Sequence, residues 1–192
     1  MTVSERYTEL KRKVVSRREE FADLMNFIET QTSYLAAPAS TKYHLCHEGG
    51  LLEHSVNVAE TILKLRKTLA PELDEESCVI VALLHDLGKA GVPGCPQYLE
   101  NKASQKQKQY GYLPAFPYHF NEELTFLSVP IRSLYLTLPY FHLTQEEVQA
   151  IAYHDGQYVP ENRGVAAKEC KLTLLLQYAD NWSGFIMEEK IL

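Results

Sequence analysis

The sequence has no Cys-x-x-Cys pair; its cysteines, Cys46, Cys78, Cys95 and Cys170, stand far apart. That spacing speaks against zinc-ribbon and dithiol-redox motifs, and the four are expected to be free thiols of a cytoplasmic protein. No apolar stretch approaches the roughly 20 residues a membrane helix needs. The segment from Met1 to Arg6 lacks the apolar core of a secretory signal. There is no basic excess: the formal net charge is −6, which argues against a surface for duplex DNA. No strand period and no internal repeat stands out. A zincin helix is missing too, because the His after His47-Glu48 is His54, seven positions on from His47 where that motif requires four.

What is present suits one globular domain of 192 residues, 45% hydrophobic and 23% charged. Val3, Tyr7, Leu10, Val14, Phe21, Leu24 and Ile28 recur at helical spacing and predict one long packing helix to about residue 30, with Ser4 as its N-cap. Its near-heptad spacing makes a homo-oligomer conceivable. Gly49-Gly50 predicts a sharp turn into a helix over 51–69, with His54 in the first turn at the edge of the apolar stripe. Asp74 is placed to cap the next helix, whose apolar run 79–84 ends at His85-Asp86, followed by Leu87-Gly88-Lys89. Residues 88–120 lose all periodicity and are read as a long loop rich in Lys and Tyr, lying over the end of that helix. A helix over 121–138 should be split by Pro130. Thr144-Gln145-Glu146-Glu147 has the form of a capping box for a helix that ends at His154-Asp155. Residues 157–167 read as a second loop, and a last helix over 168–188 carries Asp180. The fold class is all-α.

His54, the pair His85-Asp86, and Asp180, each on an apolar helical segment and in this order, resemble the metal-binding signature of the HD-domain phosphohydrolase superfamily. The resemblance covers about residues 43–184 and implies an HD-domain helical bundle. On that basis the chain is expected to be a single HD-type domain over 1–192, with an N-terminal packing helix in 1–37 and a metal-binding core in 43–184. It also implies metal at His54, His85, Asp86 and Asp180. Some family members hold a second ion with two further histidines; His154 and His119 are the residues available for that or for a general acid. The stretch 126–136 around Arg132, with His154-Asp155-Gly156-Gln157-Tyr158, is similar to small, mostly uncharacterised HD proteins of bacteria and phages.

Two imidazoles and two carboxylates make a mixed nitrogen and oxygen donor set. It suits Mn²⁺, Fe²⁺, Co²⁺, Ni²⁺ or Zn²⁺ better than Mg²⁺, with one ion expected and a second as an extension. Lys89, Arg132 and Asp155 are the candidates for phosphate contact or proton transfer. Arg132, set among apolar neighbours, is expected to need a carboxylate or phosphate partner. The expected activity is hydrolysis of a phosphoester or phosphoanhydride bond in a small nucleotide by metal-activated water. The rivals are a 3′–5′ exoribonuclease-like phosphodiesterase, which shares the string at 49–54, and a non-catalytic metal- or nucleotide-binding sensor.

Overall fold

The computed structural model describes residues 1–112 and 114–188. The first expected helix is two: α1 at Val3–Lys11, capped by Thr2, and α2 at Arg18–Gln31. The break has a clear cause. The buried carboxylate of Glu76 accepts hydrogen bonds from the backbone amides of Val15 and Ser16, both at 2.7 Å, and from Arg17 Nε at 2.8 Å. Those amides leave the helical ladder to reach it. Tyr7, Leu10, Val14, Phe21, Leu24 and Ile28 nevertheless all enter the core, so the heptad-like stripe is covered from within the chain.

The helix α3 runs from Gly50–Leu69 after Gly49, which has φ +80°. A Cβ at Gly50 would lie 2.0 Å from the Leu45 carbonyl oxygen, so the loop before α3 packs directly on its first turn. The next helix, α4, spans Glu75–Leu84, with Asp74 accepting from the Ser77 amide at 2.9 Å. Cys78 to Leu84 are completely buried, which makes α4 the axis of the core. A 3₁₀ turn at Leu87–Ala90 follows.

The long loop holds a small antiparallel pair that the sequence reading missed, β1 at Tyr98–Glu100 and β2 at Tyr118–Phe120, with the short helix α5 at Gln105–Gln109 between them. Three-residue strands are too short to show an alternation. Pro130 starts a helix and does not split one: α6 occupies Val129–Thr137 with the proline in its first turn, where it costs no hydrogen bond. The helix α7 is Gln145–Tyr153 behind the capping box at Thr144, and α8 is Lys171–Trp182, continued by a π turn at Ser183–Met187.

Packing follows from these elements: α3 lies against α4 and α8, α7 against α4 and α8, and α6 against the turn after α4. Arg17 ties the frame together, bonding Glu76 on α4 at 2.8 Å and Glu147 on α7 at 2.6 Å. Among the described residues no helix is long and apolar enough to cross a membrane. All four cysteines are free.

Candidate metal centre

The four predicted ligands meet at one point in the bundle. His54 comes from the second turn of α3, His85 caps the C-terminal end of α4, Asp86 follows it, and Asp180 lies near the end of α8. His54 Nε2 is 3.1 Å from Asp180 Oδ1 and 3.4 Å from Asp86 Oδ2. His85 Nε2 is 3.5 Å from Asp86 Oδ2 and 3.8 Å from Asp180 Oδ1. His154, the C-cap of α7, joins them, its Nε2 3.6 Å from Asp86 Oδ1. The two oxygens of Asp86 thus face different imidazoles.

Each ring is oriented from behind. His85 Nδ1 lies 2.8 Å from the Ala82 carbonyl and His154 Nδ1 2.9 Å from the Ile151 carbonyl, the same i−3 bond at the end of two helices. His54 Nδ1 lies 3.1 Å from each oxygen of Glu188. Since these partners are acceptors, every Nδ1 carries the proton and donates it, and Nε2 faces the centre. The Nε2 atoms of His54 and His85 are buried and have no hydrogen-bond partner. Such orphaned nitrogens are costly in a protein interior unless a cation takes their lone pairs. The donor set therefore fits a divalent metal, and the groups His54-His85-Asp86 and His85-His154-Asp180 each bring three ligand atoms within 4.8 Å of one another.

Charge agrees with this. Burial works against ionising His54, yet the Asp180, Glu188 and Asp86 carboxylates outweigh it and lift the imidazole to about 10. Burial likewise opposes His154, and Asp86 raises it to about 9. His85 is pushed down to about 4 by burial, with the other two imidazoles adding to the effect. Asp86 is buried, which favours its neutral form, but Lys89 and the imidazoles hold it well below the usual carboxylate range. Carboxylates that raise two buried imidazoles this far set up a negative potential at the centre, which a dication would satisfy in place of those protons.

His54, Asp86, His154 and Asp180, with the fully buried His85 behind them, border a cavity of about 860 Å³, lined also by Lys89, Asp155, Tyr158, Gln177, Tyr178 and Phe185. Lys89 reaches Asp86 Oδ2 at 2.6 Å. Asp155, half exposed, is 3.7 Å from His154 Nε2. Among the described residues of the long loop and its approach to α6, only the two ends, at Lys89 and at Ser128 to Pro130, line the cavity. Its aromatic walls come from Tyr158 and from α8 and the π turn.

Two predicted residues lie elsewhere. His119 is exposed on β2, opposite Leu99, and does not line the cavity. Arg132 is buried, but its two terminal nitrogens donate to the carbonyls of Gly88 at 3.2 Å and Thr125 at 3.0 Å and to Gln97, oxygens of the loop where a carboxylate or phosphate was expected, while its Nε has no hydrogen-bond partner. Two other residues escaped the sequence reading. His44 lines the cavity with its ring 5.1 Å from that of His54, and Glu188 orients His54 from behind. His44 sits in an irregular loop whose next residue, Leu45, has φ +43°, and Glu188 follows a π turn; neither position shows as a periodicity.

Residues 51–183 match the family model described as the HD domain. One relative, the dihydroneopterin 2′,3′-cyclic phosphate phosphodiesterase of Methanocaldococcus jannaschii, is 34% identical over 86 residues, 42% of this chain and 34% of the relative. The matched stretch thus spans about a third of that protein. No solved structure matches the chain.

Proposed function

We propose that this chain, which belongs to the HD domain family, is a metal-dependent phosphohydrolase that cleaves a phosphoester bond of a small nucleotide-like ester. One observation carries the reading: the buried, partnerless Nε2 atoms of His54 and His85 face the Asp86 and Asp180 carboxylates at the wall of an open cavity. His54, His85, Asp86 and Asp180 would hold the ion, in one HD-type domain to which α1 and α2 contribute core residues. A transition metal held there would supply Lewis acidity toward a water and toward the phosphoryl oxygens.

The chain's own groups supply the rest. Lys89, oriented by Asp86, presents a point charge on the cavity wall for a phosphoryl oxygen. His154, its Nδ1 fixed by the Ile151 carbonyl, offers Nε2 to the cavity as proton donor to a leaving oxygen, with Asp155 beside it. Tyr158, Tyr178 and Phe185 offer apolar faces to a flat ring, as a nucleobase or a pterin presents. The activity named for the archaeal relative, on a cyclic phosphate bearing a pterin, is of the same kind.

A second ion is the alternative role for His154, and the divided attention of Asp86 supports it: Oδ2 serves His54 and His85 while Oδ1 faces His154. The test is chromatography of product from a panel of nucleoside mono- and triphosphates, 2′,3′- and 3′,5′-cyclic nucleotides and a short single-stranded RNA. The protein would be loaded in turn with Mn²⁺, Fe²⁺, Co²⁺, Ni²⁺ and Zn²⁺ at measured stoichiometry, with Asp86→Ala as blank. Turnover of a small ester that vanishes in the variant is the expected result. Turnover confined to the RNA would indicate an exoribonuclease, and tight metal binding without turnover a sensor.

A further inference from the structure

The ligand His54 stands at the inner end of a hydrogen-bonded chain that begins on the surface. Arg6 on α1 donates through NH2 to Asn57 Oδ1 at 2.8 Å and holds Glu60 through the same guanidinium. Asn57 lies one turn beyond His54 on α3, and its Nδ2 donates to Glu188 Oε1 at 3.0 Å. Glu188, 7% exposed, then accepts from His54 Nδ1 at 3.1 Å. Every link is directional. The arginine fixes which way the Asn57 amide faces, so that its NH₂ and not its oxygen meets the carboxylate.

Arg6 and Glu188 both lie outside residues 51–183, the part matched by the family model. We infer that the two flanks of the chain act together on the metal centre: Glu188 is a positioning residue that keeps His54 Nδ1 protonated and its Nε2 aimed inward, and Arg6 and Asn57 position Glu188. The inference rests on the metal assignment made above. A carboxylate behind a ligating imidazole also raises its basicity, so loss of the chain should weaken the ion's hold without removing a ligand.

The experiment is Zn²⁺ affinity by competition with a chromophoric chelator, run on the whole chain with thermal unfolding as the check on folding. Glu188→Gln should lose about 10–100-fold in affinity, the range for such outer partners. Asn57→Leu should lose less, and Arg6→Met less again. The double variant Glu188→Gln/Asn57→Leu should be no weaker than Glu188→Gln, because Asn57 acts only through Glu188. Lys11→Met, which breaks the Lys11–Glu29 pair on the same helix α1, should keep wild-type affinity. In Zn²⁺-loaded protein labelled with ¹⁵N-histidine, the protonated Nδ1 of His54 should be seen in the wild type and exchange faster in Glu188→Gln. Unchanged affinity in Glu188→Gln, or additive losses in the double variant, would overturn the chain while leaving the metal centre standing. A wild type that binds no divalent cation would overturn both.

Discussion

Lys89 Nζ lies 2.6 Å from Asp86 Oδ2, so the carboxylate that faces three imidazoles is also half of a largely buried ion pair. Two roles of Asp86 can therefore be separated. Asp86→Asn should abolish stoichiometric metal, read by elemental analysis, and lower turnover by about three orders of magnitude, the equivalent of several kcal/mol of lost charge stabilisation. It should also destabilise the fold by about 2–3 kcal/mol in urea, because the Lys89 ammonium loses its partner. Adding Lys89→Met should restore most of that stability and none of the metal.

Lys89 and Arg132 were both candidates for phosphate contact, and of the two Lys89 lines the cavity while Arg132 does not. Lys89→Met should raise KM for a phosphoester by about tenfold, the worth of one lost charge-assisted contact. Arg132→Met should leave KM within about twofold while costing about 2 kcal/mol, since it strips partners from buried carbonyls of the loop. Steady-state kinetics and denaturant unfolding on the two variants decide the matter.

A Cβ at Gly88 would fall 2.2 Å from the Val129 carbonyl oxygen, and backbone cannot step aside as a side chain can. Gly88→Ala should lower stability by about 2–3 kcal/mol by forcing the turn after α4 away from α6. Because His85 and Asp86 sit just ahead of that turn, the same variant should weaken metal binding, measured by the same chelator competition.

Glu76 has a carboxyl pKa depressed from 4.5 to about 2; burial raises it, and Arg17 with the amides of Val15 and Ser16 more than reverses that. A depressed acid contributes stability above its unfolded pKa and loses it as pH falls through the folded value. Wild-type stability should therefore drop between about pH 4.5 and pH 2 by about 2 kcal/mol more than that of Glu76→Gln. Urea unfolding at a series of pH values would show the two curves converging in acid; parallel curves would contradict the shift.

A metal that binds only the folded chain stabilises it by mass action. Free Zn²⁺ or Mn²⁺ at about one hundred times Kd should add about 2.7 kcal/mol, which for a chain of this size is about 5–11 °C in Tm. Calorimetry before and after chelation measures it, and Asp86→Ala should show no such shift.

What could be read along the chain was local. His54, His85, Asp86 and Asp180 were legible because each is tied to an apolar helical segment or its end, and the capping box at Thr144 placed His154 at the end of α7. The break between α1 and α2 was not, because it depends on Glu76, far away in sequence, drawing amides out of a ladder that α1's own residues support. Arg132 was misjudged for the same reason: its acceptors are loop carbonyls, and no pattern of side chains announces them. His44 and Glu188 were invisible because a left-handed residue and a π turn, not a period, bring them to the centre.

The closeness of Gly88 to Val129 has another consequence. The intervening segment departs and returns at one spot, with Gly88 N donating to Ser133 Oγ at 2.8 Å and that hydroxyl donating to the His85 carbonyl at 2.8 Å. Its two ends are welded to the frame, so its length is decoupled from the frame's geometry, and the entropic cost of lengthening such a closed loop grows only slowly. A change of length around α5, away from Lys89, Gln97 and Thr125, should therefore leave the frame in place. Among the described residues the segment meets the cavity only at those ends, so such a change should leave the cavity wall and the His54, His85, Asp86 and Asp180 cluster in place.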